Sequence, residues 1–428
     1  MLKVKNSDKQ ITPFGGLNFI DNVIKQKSIK QLIDNHLGNR NYRAEYSYSD
    51  IIISLLFNSL CNGEFVSDLE YLKENTLKNL KTYIPSPDTV EYASQELKVK
   101  SDIHITDNDV VNEVNDNKKL NELLTKLSVG LGLLKSKNKD YTLDFDNVVL
   151  KNEKQDAKKS FKMCNGYHPN IANIGNITVY LENRNGNSSA KYGQNKVLEN
   201  CFNNLKNNGI TVNRFRADSA SYQKEVIDVV CKQANYFYIR NITSQYFREL
   251  CIDEKEWRKV EINYEIKEVA SIKIKPFKGD KEYRVVVTRT KVKSSDDFLF
   301  DEHSYTYYGI LTNDLILSDL DVILFYNQRG DVSENNNKNL LNDFNMSKLP
   351  FMDLDTNTVY MLMMAICSNL FEWIKNVLVE NSTIGIKTSY RVKRVFMRYI
   401  CVCAKYIKQA RQEILLIFTS KIMTPLKI

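Results

Sequence analysis

Apolar residues recur at spacings of three and four through the first hundred residues, and this period predicts helices. The clearest runs cover residues 17–24 and 51–60. A further helix is predicted from the Pro-Ser-Pro-Asp-Thr stretch, where Ser86 or Asp88 can act as the N-cap. Pro87 suits the first turn, because its missing N–H would have no partner there. Two interpretations stay open: a helix-turn-helix pair that binds DNA, or ordinary packing of three helices.

The apolar period weakens over residues 101–122, where Asp and Asn are frequent, and this composition predicts a linker. From residue 141, alternation of apolar and polar side chains predicts strands, and helical periods separate them. The predicted strands cover 141–150, 168–183, 211–217 and 236–240, and the predicted helices cover 192–207 and 220–233. This succession of strands and helices predicts an α/β core.

Two longer alternating runs follow, at 260–275 and 283–292, and the turn residues between them predict a β-hairpin. A strand at 305–312 and a long helix over about 318–344 come next, and the remaining residues are predicted to be helical. No internal repeat is visible in the sequence.

The composition is that of a folded protein with polyanionic partners. The chain has 428 residues, with 26% charged and 11% aromatic side chains, which excludes a disordered chain. A formal net charge of +8 favours a polyanion as partner. The length predicts two or three domains with a sizeable core.

Cysteine and histidine usage argues against two kinds of chemistry. Eight Cys are scattered without a CxxC pair, and four His are spread through the chain. We therefore expect reduced thiols in the cytoplasm and neither a disulfide framework nor a Cys/His zinc site. The most apolar window, residues 359–370, is too short to span a bilayer, and no leader opens the chain. No membrane partner is expected.

Four carboxylates stand out by their positions. Asp144 and Asp146 share one face of the first core strand, because side chains alternate along a strand. Asp218 follows the strand at 211–217, at the end where ligands collect in open α/β sheets. Glu334 lies in the helix after a later strand. Each alone is weak evidence, but together they suit Mg²⁺, which takes oxygen ligands, and two-metal phosphoryl chemistry.

The chain resembles the DDE-class insertion-sequence transposases, whose catalytic domain has an RNase H-like fold. The stretches that carry the resemblance are 143–148 (Leu-Asp-Phe-Asp-Asn-Val), 214–220 (Arg-Phe-Arg-Ala-Asp-Ser-Ala) and 326–334, followed by 342–344. The helical N-terminal region, with 46–50 and 85–89, fits the same group. The resemblance covers nearly the whole chain, and the order of its parts is more specific than any single motif.

The resemblance implies a catalytic triad of Asp146, Asp218 and Glu334 that holds two Mg²⁺, with Mn²⁺ as a substitute and Asp144 as the alternate first Asp. The fold implied is an RNase H-like mixed sheet with flanking helices, an all-helical N-terminal domain and a β-rich insertion before the last catalytic helix. The implied boundaries are 1–122 for the N-terminal DNA-binding domain, 123–242 and 301–380 for the catalytic core, 243–300 for the insertion and 381–428 for a basic C-terminal helical segment.

The family's Tyr–Arg–Glu–Lys signature is only partly present. Tyr326 and Arg329 have the family's spacing, but Glu334 stands five residues after Arg329 instead of four. Leu341 occupies the position of the Lys, and Asp331 and Lys338 are the candidates for related roles. The resemblance implies that Arg329 binds a DNA phosphate and that Tyr326 donates its hydroxyl nearby. In the other interpretation, both residues lie on a helix surface.

Two further features indicate DNA. Residues 381–412 contain eight Lys and Arg without Asp or Glu, as expected for binding a phosphate backbone. Five of these residues are broadly compatible with one helical stripe: Arg391, Arg394, Arg398, Lys405 and Lys408. These five residues and Lys393 are assigned to DNA binding. Trp257, beside three cations, either stacks on an unpaired base or packs the predicted hairpin against the core.

These observations predict a transposase that binds double-stranded DNA with terminal inverted repeats and joins it to target DNA. By resemblance, a homodimer would hold the two ends, in the cytoplasm at the nucleoid. Two alternatives stay open: a catalytically inactive DNA-binding descendant, supported by the altered signature, and an RNase H-like nuclease without strand transfer.

Overall fold

The structure is a computed structural model that describes residues 11–77, 80, 82–277, 281–291, 305–381, 385–409 and 411–419, with the side chains of residues 331 and 381 left out. Its α-helices are α1 (Leu17–Gln26), α2 (Ile29–Leu37), α3 (Tyr48–Leu60), α4 (Asp68–Asn75), α5 (Pro87–Leu97), α6 (Lys118–Gly130), α7 (Gln194–Asn207), α8 (Lys224–Gln233), α9 (Gln245–Asp253), α10 (Asp319–Arg329), α11 (Asn335–Asn342), α12 (Leu354–Asn381) and α13 (Val392–Val395).

The strands are β1 (Asp102–Ile105), β2 (Val111–Asn115), β3 (Tyr141–Asn147), β4 (Leu150–Lys151), β5 (Lys158–Lys159), β6 (Asn165–Tyr167), β7 (Asn170–Ile174), β8 (Ile177–Arg184), β9 (Val212–Ala217), β10 (Tyr236–Arg240), β11 (Arg258–Ile262), β12 (Glu265–Ile274), β13 (Tyr283–Lys291), β14 (Tyr305–Thr312), β15 (Ala404–Gln409) and β16 (Gln412–Ile417).

An eleven-stranded mixed sheet forms the centre, in the order β1-β2-β8-β7-β3-β9-β10-β14-β13-β12-β11. Strands β3, β9 and β10 are parallel neighbours, while β7 runs antiparallel to β3. In the β3–β9 register Phe145 pairs with Ala217, so the carboxyl ends of these two strands lie side by side. The residues that come next after this pair, Asp146 within β3 and Asp218 just after β9, are therefore brought together at one end of the strands.

Apolar side chains alternate along the central strands, so the two faces of each strand differ in their surroundings. Leu143 and Phe145 are buried in a core with α7, α8 and α9. Asp144 and Asp146, one residue out of phase, face the opposite side, because successive side chains point to opposite faces. Helix α10 packs on that side, where Tyr326 and Val322 pack on Tyr238.

Helix α12 lies in the largest core, which it shares with α1, α2, α3, α5 and α6. It is apolar around most of its circumference, as expected for a helix enclosed by others. The part from Leu354 to Glu380 is long and apolar enough to cross a membrane by length and composition, contrary to the expectation from the sequence. However, 78% of its most apolar stretch is buried inside the protein.

The two ends of the described chain are bonded to each other. Thr12 and Ala404 exchange both of their backbone hydrogen bonds, each 2.9 Å long. Gly16 passes so close to Tyr399 that an added Cβ would collide with the Tyr399 carbonyl. The N-terminal helices and the C-terminal segment are thus parts of one packed body.

The α/β class and the mixed sheet with flanking helices agree with the sequence prediction, as do the strands β3, β9, β10 and β14. The predicted cap of α5 is also present, because the Ser86 side chain accepts a hydrogen bond from the Thr89 N–H. The predicted linker at 101–122 is wrong: β1 and β2 form a hairpin there and α6 begins. The buried residues of this region include the polar Asn115, whose side chain donates a hydrogen bond to the Val99 carbonyl. The sequence of the region therefore shows no apolar pattern that would indicate these elements.

The predicted C-terminal helix is also wrong over most of its length. After α13 and a short π-helical turn, Phe396–Ile400, the chain forms the hairpin β15–β16. Arg411 adopts a left-handed conformation (φ 63°) next to the turn. The prediction rested on a stripe of charges, whereas Ile and Leu in 412–417 favour a strand.

A small three-stranded sheet was not predicted. Its order is β4-β6-β5, and it lies between β3 and β7 in the sequence. We call residues 148–167 the flap. Its strands are only two or three residues long, too short for an alternating pattern to show.

Candidate active site

Asp146 and Asp218 lie at the carboxyl ends of the parallel pair β3 and β9. Asp218 caps the single turn Ser219–Ser221, where its Oδ1 accepts a hydrogen bond of 2.9 Å from the Ala220 N–H. Burial raises the pKa of Asp146, and the nearby charges of Asp218 and Glu334 act in the same direction, whereas Arg329 opposes them. The structure thus brings the three predicted carboxylates near one another.

Asp144 is held in a buried ion pair. Both of its carboxylate oxygens accept hydrogen bonds from Arg216, at 2.7 and 2.8 Å. Arg216 also donates to the Phe325 carbonyl at 2.6 Å, which ties the sheet to α10. The Asp144 side chain is 1% exposed, against 17% for Asp146. Of the two, Asp146 is therefore the one with room for a ligand.

Arg329 lies between two of the carboxylates. Its Nη2 is 3.0 Å from Asp146 Oδ1, and its Nη1 is 3.8 Å from Glu334 Oε1. Although burial alone would lower the pKa of Arg329, the neighbouring acidic groups, with Asp146 the strongest, raise it. The guanidinium is therefore a fixed positive charge among the carboxylates, and its Nε has no hydrogen-bond partner within the described structure.

A π-helical turn accounts for the unusual spacing between Arg329 and Glu334. Residues Gly330–Glu334 form this turn between α10 and α11. A π turn holds one residue more than an α turn, so it absorbs the extra residue and keeps Glu334 on the side of the helix that faces Arg329. Lys338 follows one helical turn later and is exposed, while Leu341 packs against the core.

Tyr326 connects α10 to the end of β9, next to the candidate site. It is buried, and its hydroxyl donates a 3.0 Å hydrogen bond to the Ala217 carbonyl, next to Asp218. Burial raises the pKa of Tyr326. Tyr326 and Arg329 are both buried, so the interpretation that places them on a helix surface is wrong.

The residue types suit a divalent cation, because carboxylate oxygens from separate elements are the ligands that Mg²⁺ takes. Their present spacing does not suit it. Within the described ranges, no three Asp, Glu, His or Cys side chains lie close enough to hold one ion. Arg329 supplies the positive charge between Asp146 and Glu334 instead.

The basic residues predicted to bind DNA do not form one stripe. Arg391 is half-exposed and pairs with Asp343, at 2.8 and 2.6 Å, and the guanidiniums of Arg394 and Arg398 lie over the Tyr390 ring. Lys393 is exposed beside them. Lys405 and Lys408 belong to β15, where a separation of three residues places them on opposite faces.

Trp257 packs against strands β11 to β14, which we call the sheet extension. Its indole N–H donates to the Glu254 carbonyl at 3.0 Å. The Arg289 guanidinium lies 4.1 Å from the centre of its ring, and Tyr307 packs nearby. Phe161, in contrast, is an exposed aromatic residue beside Asp218 that the sequence analysis missed, because a single Phe in a lysine-rich stretch has no distinguishing pattern.

The comparisons with known proteins identify the family of this chain. The family described as Transposase DDE domain group 1 matches residues 1–425, so the chain belongs to this family of DDE transposases. No curated protein matches the chain.

Among solved structures, a piggyBac transposase synaptic complex with hairpin DNA is similar to 90% of this chain and 78% of its own, at 12% identity and a TM-score of 0.40. A Drosophila P element transposase strand transfer complex is similar to 49% of this chain and 42% of its own, at 13% identity and a TM-score of 0.24.

Proposed function

We propose that this protein cuts DNA at the inverted-repeat ends of its own element and joins those ends to target DNA. The observation that carries the proposal is the grouping of Asp146, Asp218 and Glu334 around Arg329 in a chain of the DDE family. This reaction needs no covalent protein–DNA intermediate, so neither Ser nor Tyr is assigned as a nucleophile.

The sheet supports an RNase H-like core. Strands β8-β7-β3-β9-β10 are consecutive in the sheet, with β3, β9 and β10 parallel and β7 antiparallel to β3. This is the arrangement that the resemblance implies for the catalytic domain. Strands β11 to β14 extend it on the β10 side, as a β-rich insertion before the last helix would.

In this proposal Asp146, Asp218 and Glu334 hold Mg²⁺, with Mn²⁺ as a substitute. The bound ions would activate water or a 3′-hydroxyl and stabilise the leaving oxygen. The chain's own residues position these ligands: the Asp144–Arg216 pair fixes β3 against β9, and Arg216 bonds to α10. Lys338 and the exposed C-terminal cations are candidate DNA contacts, and a homodimer would hold the two ends.

The test is a cleavage and strand-transfer assay on DNA that carries the element's ends, with Mg²⁺ or Mn²⁺. Asp146→Asn, Asp218→Asn and Glu334→Gln are each expected to slow cleavage more than about a hundredfold, because metal stabilisation of the transition state is worth several kcal/mol. Asp140→Asn is the matched control, since Asp140 lies exposed just before β3 and pairs with Arg214. Equal activity in all four variants would refute the assignment.

One observation favours the inactive alternative. Arg329 already neutralises Asp146 and Glu334, and no group of metal ligands is formed in the described parts of the chain. The same assay separates the possibilities. Binding to the ends without nicking indicates an inactive DNA-binding protein, and hydrolysis without joined products indicates a nuclease.

A further inference from the structure

A cleft of about 740 Å³ opens next to Asp218. The flap forms one wall, and the loop after β8 and the turn after β9 form the others. The lining residues that matter here are Lys159, Phe161, Ser188, Lys191 and Asp218. Because Asp218 belongs both to this cleft and to the candidate active site, a DNA strand at the site would pass the cleft.

Phe161 presents an aromatic ring to the cleft. Its side chain is 68% exposed, an unusual state for a phenylalanine in a compact turn. The turn is well held: the Ser160 N–H and hydroxyl both donate to the Cys164 carbonyl, at 2.8 and 2.9 Å. His168 packs behind the ring, with centroids 5.5 Å apart. Lys162 Nζ lies 5.9 Å from the ring centroid, and most of the residue is exposed, so a base can reach the ring to stack on it.

The cleft also contains polar groups without partners. Ser188 is 1% exposed, and its hydroxyl makes no hydrogen bond within the described structure. Two more buried atoms in the cleft lining, Asn187 Oδ1 and Asn147 Nδ2, also make no hydrogen bond within the described structure. A buried polar group without a partner is costly, and a ligand that supplies donors and acceptors recovers this cost. The edge of a nucleobase carries both.

The charge around the cleft is positive. Lys159, Lys162 and Lys191 are exposed, and none of them makes an ion pair with any residue that the structure describes. They are available to phosphate groups, whose attraction to Lys supplies most of the affinity of proteins for nucleic-acid backbones. An aromatic ring between lysines is the combination that binds single-stranded nucleic acid.

We propose that this cleft binds one unpaired nucleotide of the DNA strand at the active site, with Phe161 stacked on its base and Lys159 and Lys191 beside its phosphates. The inference rests on the proposed function, since it places DNA at Asp218. It assigns to the flap the base-stacking role that the sequence suggested for Trp257.

The test uses the full chain in EDTA, so that binding is measured without cleavage. The probe is an oligothymidine of about 12 nucleotides with one 2-aminopurine, compared with a blunt duplex of the same length. Phe161→Ala is expected to weaken binding of the single strand about fivefold to a hundredfold, the range for loss of one base stack. Binding of the duplex should change less than about twofold.

The fluorescence of 2-aminopurine at saturating protein reports stacking independently of affinity. Wild type and Phe161→Tyr should quench it, and Phe161→Ala should not. Phe65→Ala, which removes another exposed phenylalanine outside the cleft, is the matched control and should behave as wild type. Equal quenching and affinity in Phe161→Ala and wild type would overturn the proposal.

The two proposals can fail separately. If the wild type binds and quenches the probe but never cleaves DNA, the proposed function fails and the nucleotide cleft stands. If it cleaves DNA while Phe161→Ala still quenches, the cleft assignment fails and the function stands.

Discussion

At the residue scale, Arg329 determines the electrostatics of the candidate site. A buried guanidinium beside Asp146 and Glu334 compensates charges that would otherwise repel each other. A divalent cation bound by the same carboxylates would compensate their negative charges more strongly. Arg329 and a cation therefore compete for Asp146.

Replacing Arg329 should make the protein more responsive to a divalent cation. Arg329→Gln is expected to lower the melting temperature without metal, because it leaves the largely buried Asp146 carboxylate without its ion-pair partner. Mn²⁺ should then stabilise the variant more than the wild type, with an apparent affinity about tenfold higher. Melting curves over a Mn²⁺ titration give both values. Arg214→Gln, which removes a more exposed pair with Asp140, is the control, and identical Mn²⁺ responses would contradict the expectation.

His168 provides a prediction for the effect of pH on stability. Burial lowers its pKa below the ordinary 6.5, and the bond to the Ser188 carbonyl only partly offsets this. The unfolded chain therefore binds more protons below pH 6.5, so the stabilising contribution of neutral His168 is present above pH 6.5 and is lost as the pH falls.

The measurement compares wild type with His168→Gln in urea unfolding between about pH 8 and pH 5. The difference in free energy of unfolding should shrink on acidification by roughly 1 kcal/mol for each unit of the pKa shift. His104→Gln, at an exposed histidine of the edge strand β1, is the matched control. A constant difference for His168→Gln would show that burial does not hold this ring neutral.

The sequence pattern indicated Asp144, Asp146, Asp218 and Glu334 as candidate ligands, and the choice of Asp146, Asp218 and Glu334 as the triad came from the resemblance. It could not separate Asp144 from Asp146, since that depends on Arg216, which meets Asp144 only in the β3–β9 register. The position of Arg329 among the carboxylates is likewise a tertiary feature.

At the scale of elements, the helical segment from α10 to α11 carries the site and is fixed at both ends. Arg216 bonds to α10 through the Phe325 carbonyl. On α11, Asn336 and Asn337 bond to the buried Asn173 of β7, at 2.8 and 2.9 Å. Both ends of this helical segment are therefore held in place, and the π turn must span the fixed distance between them. Glu334 is the last residue of the π turn.

Deleting Gly330 tests this description of the π turn. The deletion places the glutamate four positions after Arg329 instead of five, so an α turn can replace the π turn while the residues on both sides keep their faces. The free energy of unfolding should stay equal or rise, as measured by urea unfolding with circular dichroism.

Inserting an Ala after Gly330 is the matched control. A second extra residue needs another bulge or rotates Asn336 and Asn337 away from Asn173, and loss of these buried bonds should cost about 2 kcal/mol or more. If the deletion destabilises the protein as much as the insertion, the π turn does not act as a spacer.

Sequence patterns predicted the longer elements and failed on the short ones. The alternation in β12 and β13 extends over ten and nine residues, which suffices to recognise a hairpin. The flap strands and the β1–β2 hairpin offer only two to five residues each, several of them polar. Tertiary contacts, not local period, determine these pieces.

At the scale of the whole molecule, shared cores and strand pairing connect regions that are far apart in the sequence. Helices α1, α2 and α3 share a core with α12, and Thr12 bonds to Ala404. The sheet extension is continuous with the central strands through the β10–β14 pairing. Residues from the N-terminal part of the chain and from its C-terminal part therefore lie in one core.

The two tryptophans allow a direct test of this continuity. Trp373 lies buried in α12, and Trp257 lies in the sheet extension against Arg289. Trp257→Phe leaves a probe of the helical core, and Trp373→Phe leaves a probe of the extension. In each variant, the fluorescence and circular-dichroism transitions in urea are expected to share one midpoint, because neither region can lose its packing without exposing the other. If the extension is an independent unit, Trp257 fluorescence will change at a midpoint different from that of the helical signal.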